Sequence, residues 1–192
     1  MHDVNWMLDL LEATGPNPAH AKDLMLFGQL IGSWHIDMTS IDPKGGSRTF
    51  VGEWHFGWTL DGLAIQDVLI TRTTEGEVVG YGSTVRSLDA KRGLWWVVWQ
   101  DPLAGEFSVL LARPEGDRIL LEGQWTIGDA VRPFRWTFSD ITPDSFHWEC
   151  RIRQDGGRWG LAEEMKARRV PREGGGRRLQ PLGGQERSVG RQ

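Results

Sequence analysis

Three charged side chains fall at apolar-face positions of segments that otherwise alternate apolar and polar, and an apolar surrounding would sharpen the chemistry of each. If Asp61-Gly62 is a two-residue hairpin turn, Phe56 lies opposite Asp67, Trp58 opposite Ile65 and Trp54 opposite Leu69. A single carboxylate then sits on a face of large hydrophobics. The same treatment of Glu75-Gly76 sets Thr84 opposite Asp67 and Arg86 opposite Ile65, which brings Arg86 diagonally beside Asp67. Gly80 and Gly82 fall on this face too and leave space for a ligand or for a neighbouring tryptophan. A turn at Asp155-Gly156 pairs Trp148 with Glu163, Cys150 with Leu161 and Ile152 with Trp159, so Glu163 is the lone acid of a second apolar face. A buried carboxylate without a cation has a raised pKa and can serve as a protonated donor or a general base, whereas one beside an arginine stays ionised. Asp67 and Glu163 are therefore the candidate catalytic acids. The Asp67 and Arg86 pair has two readings, a structural bridge or a ligand-orienting pair. Glu163 depends on register, because a slip of one residue would turn it to water.

Around these charges lie the tryptophans, eleven in 192 residues and nearly all inside short alternating segments. Indoles can fill a core, or they can clamp a flat or greasy small molecule by area burial and stacking. Trp34, Trp54, Trp58, Trp136 and Trp148 are the candidate ligand-binding indoles, with Arg86 orienting a polar group. The run GLWWVVWQ carries Trp on both faces, so alternation leaves open which of Trp95, Trp96 and Trp99 point inward. Large aromatics on an outer face would favour a homodimer, because exposed apolar patches mark contacts.

The elements that must position these residues follow from periodicity. Asp3 can cap a helix through about Glu12 whose apolar positions Val4, Met7, Leu8 and Leu11 share one face. TGPNP breaks it, and a second helix is expected from Ala19 to about Leu30. Two such helices could plug one mouth of a following barrel, though packing against its outside is the simpler expectation. From Gly32 the period becomes two, with strands expected near 33–41, 48–58, 63–73, 78–87, 94–100, 105–113, 118–127, 131–139, 145–153 and 158–168. Connections this short imply an antiparallel up-and-down meander, and closure into an all-β barrel removes both sheet edges. The domain plan is a helical segment over 1–31, a barrel over 32–170 and a disordered Gly/Arg-rich tail over 171–192.

Composition excludes several function classes. The net charge is −4, but the tail holds five arginines against Glu173 and Glu186, a net of +3 that leaves −7 on residues 1–170. An acidic body argues against nucleic acid as a partner. Cys150 is the single cysteine, which forbids an intramolecular disulfide or a Cys-based zinc cluster and fits a reducing cytoplasm. The N-terminus starts acidic and no stretch approaches a membrane span, so a soluble, unexported, cytoplasmic chain is expected. No nucleophile elbow, phosphate-binding loop, H-E-x-x-H pair or dinucleotide fingerprint occurs. His35 and His55 could neighbour each other with Glu53 or Asp37, but no third histidine joins them, and neither a metal nor a cofactor is expected. Glu122 with Arg135, and His147 with Glu164, look like ordinary surface ion pairs.

The stretch L-I-G-S-W at residues 30–34 leads directly into the first strand and resembles the G-x-W opening of lipocalin-like, or calycin, barrels. With EWHFGWTLDGLAIQD (53–67) and FHWECRIRQDGGRWGLAEEMKARR (146–169), residues 27–170 resemble a bacterial uncharacterised-domain family that shares the nitrobindin-like ten-stranded barrel. The resemblance implies a calycin-like barrel, about ten-stranded, with a small-molecule cavity. In haem-binding relatives a histidine near the chain's end supplies the iron ligand; the final strand here has none, so no haem is expected. Other calycin-like barrels work as cyclases, isomerases, hydratases or decarboxylases. Three functions follow as expectations: binding of a small, largely apolar or aromatic molecule; a cofactor-free enzyme of secondary metabolism using Glu163 or Asp67 for acid–base help; or a non-catalytic interaction domain using the helices or the tail.

Overall fold

In the computed structural model, which describes residues 6–42, 45–127 and 130–171, the alternating segments become ten antiparallel strands. They are β1 (Gly32–Ile41), β2 (Ser47–Thr59), β3 (Ala64–Arg72), β4 (Val78–Asp89), β5 (Leu94–Asp101), β6 (Glu106–Glu115), β7 (Arg118–Ile127), β8 (Ala130–Ser139), β9 (Ser145–Arg153) and β10 (Trp159–Arg169). No strand end departs by more than two residues from the position that alternation predicts. Each strand pairs with its sequence neighbours, and β1 also pairs with β10, Trp34 facing Arg169 and Met38 facing Met165. The sheet thus closes on itself, and no long strand edge is left open. A two-residue extension, Glu12–Ala13, adds to the end of β2 opposite Thr59 and Trp58.

Register decides which side chains face inward, and two hairpins reach it differently. Between β3 and β4 the turn is one residue longer than expected, Thr73 N–H donating to Glu77 O at 2.8 Å, but a bulge at Thr71/Arg72 restores the pairing of Asp67 with Thr84 and Ile65 with Arg86. Between β9 and β10 the turn is again one longer, Gln154 N–H donating to Arg158 O at 2.8 Å, and the bulge at Cys150/Arg151 adds to the offset. Trp148 therefore faces Met165, and Cys150 faces Glu163, two residues from the expected pairing. A shift of two preserves the face, so Glu163 still points inward.

The inner wall is close-fitted. A Cβ on Gly82 would lie 2.1 Å from the Trp99 ring, so the space beside Asp67 is taken by that indole. Trp95 is buried and Trp99 half-buried, whereas Trp96 is exposed on the outside. Trp96 faces Leu111 there, next to Val109 and Phe107, and the homodimer expectation concerns this outer patch.

One mouth of the barrel is stopped by the second helix, contrary to the expectation that it packs outside. Helix α1 is Trp6–Leu11 and α2 is Ala21–Gly28, the latter preceded by a turn at Pro18–His20 where Asn17 Oδ1 accepts from Ala19 N–H at 3.1 Å. Leu24, Phe27 and Leu30 are fully buried. Phe27 meets Trp95 and Phe138 edge-on at 5.0 and 6.2 Å between ring centres. Trp34 Nε1 donates to Leu30 O at 2.8 Å and ties the helix exit to β1. Helix α1 buries nothing: Met7 and Leu8 of its apolar face remain exposed. Among the described residues no helix is long and apolar enough to cross a membrane. The Asp3 cap, residues 43–44 between β1 and β2, residues 128–129 between β7 and β8, and the tail from residue 172 lie outside the described residues.

Candidate functional site

At the end of the barrel away from α2, the inner faces leave a cavity of about 420 Å³, within the size range of small-molecule sites. Five indoles line it: Trp54 from β2, Trp99 from β5, Trp125 from β7, Trp136 from β8 and Trp148 from β9. Four of them brace one another. Trp99 meets Trp136 edge-on at 6.1 Å, Trp136 meets Trp148 at 5.6 Å, and Trp148 meets Trp54 edge-on at 6.2 Å. Trp125 stacks on Phe134 at 4.1 Å and donates its indole N–H to Ser108 Oγ. Rings held this way present preformed apolar faces, which limits the ordering cost of binding.

Glu163 projects into the cavity from β10, between Cys150 on β9 and Ser40 on β1. Burial pushes its carboxyl up to about 7, and the charge of Glu106 pushes in the same direction. No hydrogen bond or ion pair reaches it among the described residues. Burial, and then Glu163, raise the Cys150 thiol well above its ordinary range, so this cysteine is an inert packing group rather than a thiolate. Glu106 from β6, exposed on the rim, also lines the cavity. Asp101 of β5 is buried there, but its carboxylate accepts from the backbone N–H groups of Tyr81, Leu103 and Ala104 at 3.2, 2.8 and 3.1 Å and so builds the following turn. Arg48 of β2 stands on the rim in the row Arg48, Ser40, Glu163 that crosses β2, β1 and β10.

Asp67 and Arg86 are fully buried and bonded to each other through Arg86 Nη1. Asp67 also accepts from Thr84 N–H at 3.0 Å, and Thr84 lines the cavity. The Arg86 guanidinium lies 5.2 Å from the ring centres of both Phe27 and Phe56, a cation–π sandwich that joins the plug helix to the wall.

The eight residues singled out in the sequence thus divide by barrel end. Trp54, Trp136, Trp148 and Glu163 line the open cavity. Asp67 and Arg86 sit deeper, while Trp34 and Trp58 gather at the closed end, Trp58 against Gly28 of α2. Sequence reasoning left the direction of Trp99 open and did not single out Trp125, Arg48 or Glu106. The parity of β6 carried a signal for the last, because Glu106 shares its face with the buried Ser108, Leu110 and Ala112. Gly82 was the signal for Trp99, a missing side chain where a ring must fit.

Outside the barrel, His55 bonds Ser33 Oγ at 2.9 Å and Glu53 at 3.2 Å. Among the described residues no group of three His, Cys, Asp or Glu side chains is disposed to hold a metal. Glu122 pairs with Arg135 at 2.8 Å and Arg113 at 2.6 Å, and His147 with Glu164 at 3.4 Å.

No family model and no curated protein matches the chain. Solved structures do. Rv2717c from M. tuberculosis is 16% identical with a TM-score of 0.60, covering 79% of this chain and 99% of that one. The S-type phycobiliprotein lyase CPES from Guillardia theta is 16% identical with a TM-score of 0.55, covering 78% and 93% respectively. The shared architecture is a β-barrel of the calycin, lipocalin-like type, and at this identity the likeness is one of fold.

Proposed function

We propose that this is a cytoplasmic barrel that binds a small, largely apolar or aromatic molecule in the cavity at its open end, without a cofactor. The observation that carries the reading is the space of about 420 Å³ walled by five indoles, four of them in contact with one another and Trp125 stacked on Phe134, closed behind by α2 and open in front. Trp54, Trp136 and Trp148 supply contact area; Trp34, Trp58, Arg86 and Asp67 hold the wall and plug that shape it. The lyase fold in the comparison is a second support, at the level of architecture only. Titration of the intrinsic tryptophan fluorescence with a panel of aromatic metabolites tests it. Saturable quenching by one chemical class, weakened in Trp148→Leu, is the expected result. A flat response across the panel sinks the proposal.

One observation favours a second reading, a cofactor-free cyclase, isomerase or hydratase. A carboxyl with a pKa near 7 inside an apolar cavity is suited to general acid–base work at neutral pH. Glu163 would exchange the proton, and Asp67 would act as a positioning residue through Thr84. That reading requires Glu163→Gln to retain affinity and lose turnover; equal turnover in the variant removes it.

A further inference from the structure

The charges around the cavity point to the class of ligand, on the basis of the binding function just proposed. We propose that the cavity takes a flat aromatic molecule bearing an organic cation, such as a protonated amine, with its rings among the indoles and its charged nitrogen beside Glu163 and Glu106. An uncharged aromatic would need the walls alone. The molecule shows what it does with a cation in its interior: at the closed end Arg86 sits between the rings of Phe27 and Phe56 with Asp67 as its counter-ion. The open end holds similar surroundings, carboxylates and aromatic faces, and among the described residues its one cationic lining side chain, Arg48, is exposed on the rim and bonded to neither glutamate. Indole faces attract cations more strongly than phenyl rings do.

The charged groups facing the space are few. From β10 comes Glu163 and from β6 Glu106, neither of which has an ion pair or hydrogen bond among the described residues. From β5 comes Asp101, satisfied by three backbone N–H groups. Cys150 on β9 is a neutral thiol and Ser40 on β1 a hydroxyl. Among the described residues Arg48 is the one cationic side chain lining the cavity, and it is exposed on the rim. An anionic ligand would have to sit against two unpaired carboxylates to reach Arg48. A cation instead relieves the repulsion between Glu106 and Glu163 that helps to raise the latter.

Proton and ligand then compete for the same carboxylate, so cation affinity should rise with pH through about 7 and level off above it. The test is calorimetric titration of the full chain with three probes of one shape: 1-naphthylmethylamine, 1-naphthylmethanol and 1-naphthoate. At pH 8 the amine is expected to bind about tenfold tighter than the alcohol, with naphthoate weakest. The gap should narrow at pH 5.5 and narrow at every pH in Glu163→Gln, while alcohol binding persists. Should Glu163→Gln not fold, Glu106→Gln, at an exposed position, must still narrow the gap. An alcohol that equals the amine at every pH, or naphthoate binding best, overturns the cation and leaves the aromatic cavity standing. If none of the three binds, the cavity function falls and takes this inference with it.

Discussion

The two ends of this barrel are built from the same materials and differ in whether a carboxylate on the inner wall meets a counter-charge among the described residues. At the closed end Arg86 has Asp67 as its counter-ion and two phenyl rings against its guanidinium, although its Nε and Nη2 find no hydrogen-bond partner among the described residues, and a helix seals the group from water. At the open end two glutamates and five indoles surround empty volume. Asp67 keeps its charge partner at bonding distance; Glu163 has none among the described residues, and burial, with the nearby charge of Glu106, raises its pKa unopposed. Residue type alone therefore does not separate structure from site. Completion does, because a buried charge is tolerated only where something pairs with it or where water can still enter.

Breaking the completed end should have the largest effect. Arg86→Met leaves Asp67 buried without its cation and should lower the unfolding free energy by about 3–5 kcal/mol in urea titration. Adding Asp67→Leu should recover most of that loss, because an apolar replacement for both partners is close to neutral. A single-variant cost below about 1 kcal/mol would mean that the pair is not what holds this end. Phe27→Ala, which empties the plug, should cost about 3 kcal/mol in the same measurement.

The incomplete end should respond with the opposite sign. Glu163 has a folded-state pKa of about 7 against an ordinary 4.5, so between those values the folded chain holds a proton that the unfolded chain has released. Stability present below about 4.5 is lost as pH rises to about 7 and stays lost above it. Glu163→Gln escapes this loss. It should match the wild type near pH 4.5 and exceed it at pH 8 by up to about 3 kcal/mol, an upper bound set by the size of the shift. A variant less stable than wild type at pH 8 would show that Glu163 has a partner in solution. The smallest change belongs to neither end: Glu122→Ala on the outer wall removes contacts to Arg113 and Arg135 and should cost less than about 1 kcal/mol.

Much of this arrangement was legible in the chain. Alternation located all ten strands, and parity alone put Asp67, Arg86 and Glu163 inside. The turns were less legible, because a bulge leaves no mark in an alternating pattern. In the β3–β4 hairpin the bulge cancels the extra turn residue, and in β9–β10 it adds to it, which moved the partner of Glu163 from Trp148 to Cys150. The plug was hidden for another reason. An apolar helix face looks alike whether it covers a barrel's side or its mouth, and α1, with a similar face, does neither.

By itself the sequence determined the strand count, the inward faces and the presence of charge on an apolar wall, because period-two alternation is a local property of the backbone. Only the tertiary structure decided which charges meet. Whether a carboxylate finds a cation depends on strands brought together by closure and on a helix arriving from another part of the chain. Phe27 reaching Arg86, and no cation or hydrogen-bond donor among the described residues reaching Glu163, are facts of distance in space that no local pattern encodes.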